Sequence, residues 1–331
     1  MMQSLTLLKP SSLGQAIAMH GAESEPRYLA GGTDLVPNLR RNIQKAQTLI
    51  DLSHLSELRD IRVDGQRLRI GSGVALEALC EAEAVRNLAP LLVQAASLVA
   101  SATHRAAATV GGNLLQDTRC YFYNQSDWWR SANEYCMKCE GDICRVAPKS
   151  DRCYACYSGD LAPALLVLEA QADILGPAGA RRAPLADLFA DDGMRHLRLA
   201  PGELLVSVDV PSQAGWAAGY EKMRIRSAID FPLVGIAVAL QRAGDCITAL
   251  RVACTGVNSY PGLVPGLEAL AGQVPGDAFY ATLDKVVRKE IQPMASTLVA
   301  AGYRRRVFSA LAKRLVKRLY EIQSPAKDLG R

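Results

Sequence analysis

Leu29-Ala30-Gly31-Gly32-Thr33-Asp34-Leu35 and, about eighty residues later, Thr109-Val110-Gly111-Gly112-Asn113-Leu114 are the two stretches on which the reading of this chain turns. Each follows an apolar segment and offers adjacent glycines, a hydroxyl and a side-chain carbonyl. Paired glycines let the backbone approach a phosphate closely, with successive N–H groups forming an anion-binding nest. One Gly-Gly alone is usually an ordinary tight turn. Neither stretch has the G-x-G-x-x-G spacing of a dinucleotide fingerprint, and neither continues into Gly-Lys-Ser/Thr as a P-loop does. On physical grounds they license a candidate diphosphate site and nothing narrower.

Outward from these turns, short apolar strands alternate with helical segments. Thr48 to Leu52 and Arg67 to Ile70 read as strands, whereas Glu77 to Ala84 and Leu91 to Val99 have helical composition. Gly and Pro punctuate the joins. Asp160 to Leu168 is apolar, with Asp160 placed to cap a helix, and a hairpin is expected near Gly176 to Gly179. A composition shift near Pro211 to Gly219 marks a domain boundary. Beyond it Leu233 to Leu240 and Ile247 to Thr255 flank Gly244-Asp245, a hairpin signal. The expectation is an α+β fold with one domain over residues 1–215 and a smaller one over 216–331.

The 331 residues suffice for two or three folded units. A net charge of +5 is small for that length and does not argue for nucleic acid or membrane binding. Basic residues gather late, in Arg304-Arg305-Arg306, Lys313-Arg314 and Lys317-Arg318. Val307, Leu311, Leu315 and Leu319 recur between them at a helical period, so the run reads as an amphipathic helix with a solvated basic face. The opening Met1-Met2-Gln3-Ser4 lacks the basic start and apolar run of a signal peptide. No uninterrupted apolar stretch reaches the length of a membrane span. The expected compartment is the cytoplasm.

The nine cysteines are unevenly spread. Cys80, Cys246 and Cys254 sit among apolar neighbours, as interior thiols do. The other six, Cys120, Cys136, Cys139, Cys144, Cys153 and Cys156, fall in one stretch with the pattern C-x15-C-x2-C-x4-C-x8-C-x2-C. Residues 117–158 lack periodicity and crowd aromatic with polar side chains, as in Tyr121-Phe122-Tyr123 and Trp128-Trp129. This stretch reads as an insertion into a continuous fold, for which a metal would supply folding energy. In a cytoplasmic chain such clustering favours metal over disulfides. Cys136-x2-Cys139 and Cys153-x2-Cys156 resemble a four-cysteine zinc ribbon. An iron–sulfur cluster is the alternative, although neither familiar ferredoxin spacing is present.

The two glycine turns, in this order and at this separation, resemble those of the flavin subunits of the xanthine dehydrogenase and carbon monoxide dehydrogenase families. Gly159-Asp160-Leu161-Ala162-Pro163-Ala164-Leu165, Tyr220-Glu221-Lys222 and Tyr303-Arg304-Arg305 are further points of likeness. Within that superfamily, a cysteine-bearing loop at this place resembles the flavin subunits of the 4-hydroxybenzoyl-CoA reductase family. So do Thr103-His104-Arg105-Ala106-Ala107-Ala108-Thr109, Gln116-Asp117-Thr118-Arg119-Cys120, Phe122-Tyr123-Asn124-Gln125-Ser126 and Lys149-Ser150-Asp151-Arg152-Cys153.

The resemblance implies a two-part FAD-binding domain of the molybdenum hydroxylase type (PCMH-like), an inserted iron–sulfur loop and a smaller C-terminal flavoprotein domain. It implies that Leu29, Ala30, Gly31, Gly32, Thr33, Asp34, Leu35 and Val36 hold the FAD diphosphate. Thr103, His104, Thr109, Gly112, Asn113 and Thr118 would line the flavin path, and Asp160 and Lys222 would bond its ribityl or ring region. Cys120, Cys136, Cys144 and Cys153 would ligate one [4Fe-4S] cluster, leaving Cys139 and Cys156 over. Lys138, Arg145, Lys149 and Arg152 would surround the anionic cluster with positive charge and attract an acidic carrier such as ferredoxin. Substrate chemistry would belong to a molybdopterin-binding large subunit, linked through a small subunit with two [2Fe-2S] clusters, in a dimer of three-subunit units. No nucleophile–base arrangement stands out in the chain itself: His20, His54, His104 and His196 are scattered. The implied role is electron transfer, with low-potential electrons entering at the inserted cluster and leaving through FAD toward molybdenum.

Overall fold

The computed structural model describes residues 5–323, so Met1 to Ser4 lie outside the described residues. In the first lobe, β1 (Thr6–Leu8), α1 (Leu13–Ala22), β2 (Pro26–Leu29), α2 (Leu35–Arg40) and β3 (Thr48–Asp51) build a parallel sheet in the order β1-β3-β2. Thr48, Leu49 and Ile50 are all buried, the mark of a central parallel strand covered on both faces. Ser12 starts α1 by accepting the Gln15 N–H at 3.2 Å. Ala16 then packs against Ile50, Leu52, Leu55 and Leu58.

The second lobe opens with β4 (Ile61–Asp64) and β5 (Arg67–Gly71), followed by α3 (Leu76–Glu81), α4 (Glu83–Leu88), α5 (Pro90–Ser97), α6 (Ala102–Ala107) and α7 (Val110–Leu114). Then come α8 (Asp127–Ala132), α9 (Leu161–Val167), β6 (Gln171–Gly176), β7 (Gly179–Pro184) and β8 (Leu204–Val210). The five strands form an antiparallel sheet in the order β4-β5-β8-β6-β7. Burial alternates along β6, placing Ala172 and Ile174 on the core face. Every residue of α9 is buried, as befits a helix apolar all round. It touches α5 and α7 on one side and strands of the C-terminal domain on the other.

The insertion is less irregular than its sequence suggests. Ser126 accepts the Trp129 N–H at 3.3 Å and so caps α8. The neck is closed by Arg119 and Cys156, which exchange backbone hydrogen bonds of 2.7 and 2.6 Å. Ile43, Cys120, Tyr123, Cys153 and Ala155 form a small core, with Phe122 and Met137 packed against it. Trp129 stacks edge-on to Tyr121, whereas Trp128 is 78% exposed.

The C-terminal domain has β9 (Ala217–Met223), β10 (Val234–Ala243), β11 (Cys246–Thr255) and β12 (Gly262–Leu263), in the order β12-β11-β10-β9, then α10 (Asp277–Glu290) and α11 (Ala301–Ile322). The β10–β11 hairpin turns at Gly244-Asp245. From α11, Phe308, Leu311, Leu315 and Leu319 lie on this sheet, with Val307 at the edge of the contact. Arg304 departs from the expected solvated face: it is fully buried, donating to the carbonyls of Leu233, Met294 and Gly256 and to the Cys156 sulfur. Cys254 is interior as expected, but Cys80 and Cys246 are only partly covered. Among the described residues no helix is long and apolar enough to cross a membrane.

Candidate functional site: a flavin cleft beside a four-cysteine cavity

The two glycine turns face each other across one cleft of about 1050 Å³, at the upper end of the size range of ligand sites. Ala30, Gly31, Gly32, Thr33, Asp34 and Leu35 line one wall, and Thr109, Gly111, Gly112, Gln116 and Asp117 another. Close approach fixes the residue type at the first turn. A β-carbon on Gly31 would fall 1.7 Å from the Ala107 carbonyl oxygen, and Gly32 holds φ +69°. Among the described residues, the N–H groups of Gly31, Gly32 and Thr33 donate to no protein acceptor, so they stay available to an anion. Asp34 shares its carboxylate with the Arg119 guanidinium, the Asn38 amide at 3.2 Å and the Asp117 N–H at 3.2 Å. The carboxylate charge is thereby compensated by Arg119, from outside the turn. Size, a glycine-lined approach and unpaired donors fit a dinucleotide diphosphate.

The second turn is built differently from the expected nest. Thr109 caps α7 by accepting the Gly112 N–H at 3.0 Å, and the Gly111 N–H is taken by the Ser72 carbonyl at 2.7 Å. This turn supplies surface to the cleft rather than free donors. Leu29 and Val36 pack against Gly32 of the first turn and do not line the cleft wall. Asn113 is buried, its side-chain oxygen accepting the Leu161 N–H at 3.0 Å.

Thr103, His104, Thr118, Asp160 and Lys222 also lie off the cleft wall. Thr103 and His104 are on exposed α6 and share the Ser101 hydroxyl. Thr118 is buried and donates to the Gly193 carbonyl. Asp160 stands at the start of α9 without capping it. Instead it accepts from Tyr220 at 2.7 Å and pairs with Lys222 at 3.0 Å across the domain boundary, with both side chains buried. Burial raises the Asp160 pKa even though Lys222 works against it.

Cys120, Cys136, Cys144 and Cys153 line one small cavity together with Phe122, Met137, Val146 and Ala155. Cys139 lines a different hollow, beside Lys45 and Glu140. Cys156 is turned toward Ser296 at 3.3 Å and Arg304 at 3.3 Å. The two C-x2-C pairs of a zinc ribbon are therefore split between surroundings. Among the described residues no three donors gather closely enough to hold a metal ion. The Cys153 hydrogen bond draws the Cys144 thiol down to about 5. The same bond, with burial, pushes Cys153 upward. Burial raises Cys120 to about 11. Four sulfurs, the number of thiolates that an iron–sulfur cluster takes, line this cavity with Lys138 and Arg145 beside the apolar side chains.

Sequence reasoning named Lys138 as a charge near the cysteines but missed its partner and its place between the two hollows. Asp117 belongs to the cleft wall, Lys138 to the cysteine cavity, and they pair at 2.6 Å with side chains 10% and 5% exposed. Lys138 is thus not part of a free basic surface, and Arg145 and Arg152 are likewise tied to the carbonyls of Tyr135 and Asp191. Burial works against the Asp117 carboxylate, but Lys138 outweighs it and holds the group below the usual range. His196 is buried behind them, its Nε2 at 3.0 Å from the Gln116 carbonyl. Burial first, then Lys138, lowers it to about 4. A basic residue two positions from a clustered cysteine, with an acid just before the first, was the available signal.

Residues 3–213 match the family described as the FAD binding domain in molybdopterin dehydrogenase, and residues 218–319 the CO dehydrogenase flavoprotein C-terminal domain. The chain is 35% identical to the Escherichia coli K12 aldehyde oxidoreductase FAD-binding subunit PaoB, over 78% of this chain and 82% of that protein. It is 30% identical to the carbon monoxide dehydrogenase medium chain of Hydrogenophaga pseudoflava, over 75% and 73% of the two chains. A crystal structure of Cu,Mo-CO dehydrogenase contains a chain of the same fold, with a TM-score of 0.79 at 22% identity over 97% of this chain and 99% of that one. The chain belongs to the FAD-binding subunits of the molybdenum hydroxylase and CO dehydrogenase family.

Proposed function

We propose that this chain carries electrons between FAD in the cleft and a [4Fe-4S] cluster in the insertion. It would do so as the flavin subunit of a 4-hydroxybenzoyl-CoA reductase type of enzyme. The observation that carries the reading is the convergence of Cys120, Cys136, Cys144 and Cys153 on one cavity, apart from Cys139 and Cys156. FAD, when bound, supplies the exchange between one-electron and two-electron carriers. The free N–H groups of Gly31, Gly32 and Thr33 would hold its diphosphate, Arg119 would keep Asp34 from repelling it, and Thr109 would keep the second turn in shape.

On this reading a large molybdopterin subunit and a small [2Fe-2S] subunit complete the electron path, in a dimer of heterotrimers. A ferredoxin-like donor feeds the inserted cluster. The overall reaction joins 4-hydroxybenzoyl-CoA with two electrons and two protons to give benzoyl-CoA and water. Identity to an aldehyde oxidoreductase subunit favours a second reading, in which electrons run the other way, from an aldehyde oxidised at the partner subunit.

Anaerobic purification with flavin and metal analysis tests the cofactor reading. FAD and about four irons per chain are expected for a single cubane. Cys120→Ser should abolish the cluster and Cys139→Ser should retain it. Zinc in place of iron, or the reverse order of the two variants, overturns the assignment. Flavin bleaching by an aldehyde, without dehydroxylation by a strong reductant, selects the second reading.

A further inference from the structure

The segment Asp117-Thr118-Arg119-Cys120 runs from the wall of the flavin cleft to the cysteine cavity in four residues. Between the hollows lies a nearly dry ion pair. The Asp117 carboxylate accepts from Lys138 at 2.6 Å and from the Tyr123 hydroxyl at 3.1 Å. The Lys138 ammonium also donates to the Thr118 carbonyl at 3.1 Å, the Gly193 carbonyl at 2.9 Å and the Thr118 hydroxyl. It lies 4.7 Å over the Tyr123 ring, which lines the cysteine cavity. Asp117 lines the cleft and Lys138 lines the cysteine cavity. The pair thus has an orientation: negative end at the cleft, positive end at the four sulfurs.

We propose that the Asp117–Lys138 pair is an electrostatic bridge that sets the relative reduction potentials of the two centres. The inference rests on the reading that the four thiols hold a cluster. A buried charge is poorly screened, so its field acts strongly on neighbours. A carboxylate beside the flavin opposes added negative charge there, and an ammonium beside the cluster favours it. The electron one centre loses is the electron the other gains, so the oriented pair shifts its residence toward the cluster. A purely structural brace would behave otherwise, because cutting it from either end loosens the same loop.

Spectroelectrochemical titration of the anaerobically purified complex separates these cases, with the flavin followed by absorbance and the cluster by electron paramagnetic resonance. Lys138→Met should move both potentials negative, the cluster more. Asp117→Asn should move both positive, the flavin more. Lys138→Arg, which keeps the charge, should stay near the parent protein. Unmoved potentials, or shifts of the same sign in Lys138→Met and Asp117→Asn, overturn the proposal. If Lys138→Met loses its cluster, the Asp117→Asn arm decides alone, and an unmoved flavin sinks the idea. With no second centre there is no bridge, whatever the flavin does, so an iron-free parent protein overturns both the cluster reading and the bridge. An iron-loaded parent with unmoved potentials overturns the bridge alone.

Discussion

A single methyl group at Gly31 would occupy the space of the Ala107 carbonyl. The turn and α6 must part to admit it, so Gly31→Ala should cost about 1–3 kcal/mol, as overpacking does, and strip the flavin. Urea unfolding with absorbance after gel filtration reads both, and a variant that keeps its yellow colour contradicts the cleft assignment. His196 supplies a pH test. Its folded value of about 4 lies below the unfolded value near 6.5, so between those limits the unfolded chain binds the extra proton and stability falls with acidification. From pH 7.5 to 5 this group should remove about 2 kcal/mol, and His196→Gln should flatten that part of the stability profile. Gly31 and Gly32 were legible because glycine is needed where backbones touch. Asp117 and Lys138 were not, since a pair twenty-one residues apart has no local signature until the insertion folds.

The elements show where pattern reading works and where it stops. The β10–β11 hairpin and α9 follow from apolar runs bounded by turn residues, because local preference and burial agree there. In α11 they conflict. Arg304, Arg305 and Arg306 look alike in sequence, yet only Arg304 is in phase with Phe308, Leu311 and Leu315, and only it is buried. Position along the helical period outranked residue type, because the carbonyls of Leu233, Met294 and Gly256 wait at that point. Arg304→Ala should cost at least about 3 kcal/mol by orphaning buried acceptors, whereas Arg305→Ala and Arg306→Ala should stay within about 0.5 kcal/mol. Chemical denaturation of the three variants checks the contrast, and equal costs would remove Arg304 from its structural role.

At the scale of the molecule, two domains meet through α9 and the buried Asp160–Lys222–Tyr220 cluster. Lys222→Met should leave Asp160 uncompensated and cost about 3–5 kcal/mol. Calorimetry should then show the C-terminal domain unfolding separately, and a single unshifted transition would deny the pair that role. The two-domain plan was readable from composition, but the joint was not, because its partners are sixty-two residues apart. The five-stranded sheet has one more consequence. Its last strand in the chain, β8, lies between β5 and β6, and the cleft wall includes Leu199 to Leu205 just at its start. Neither hairpin can close on the other until that strand arrives. A nascent chain still tethered to the ribosome short of residue 210 has both glycine turns but no chamber between them. Completion of the chamber therefore waits for the middle of a sheet rather than for the glycine motifs that line it.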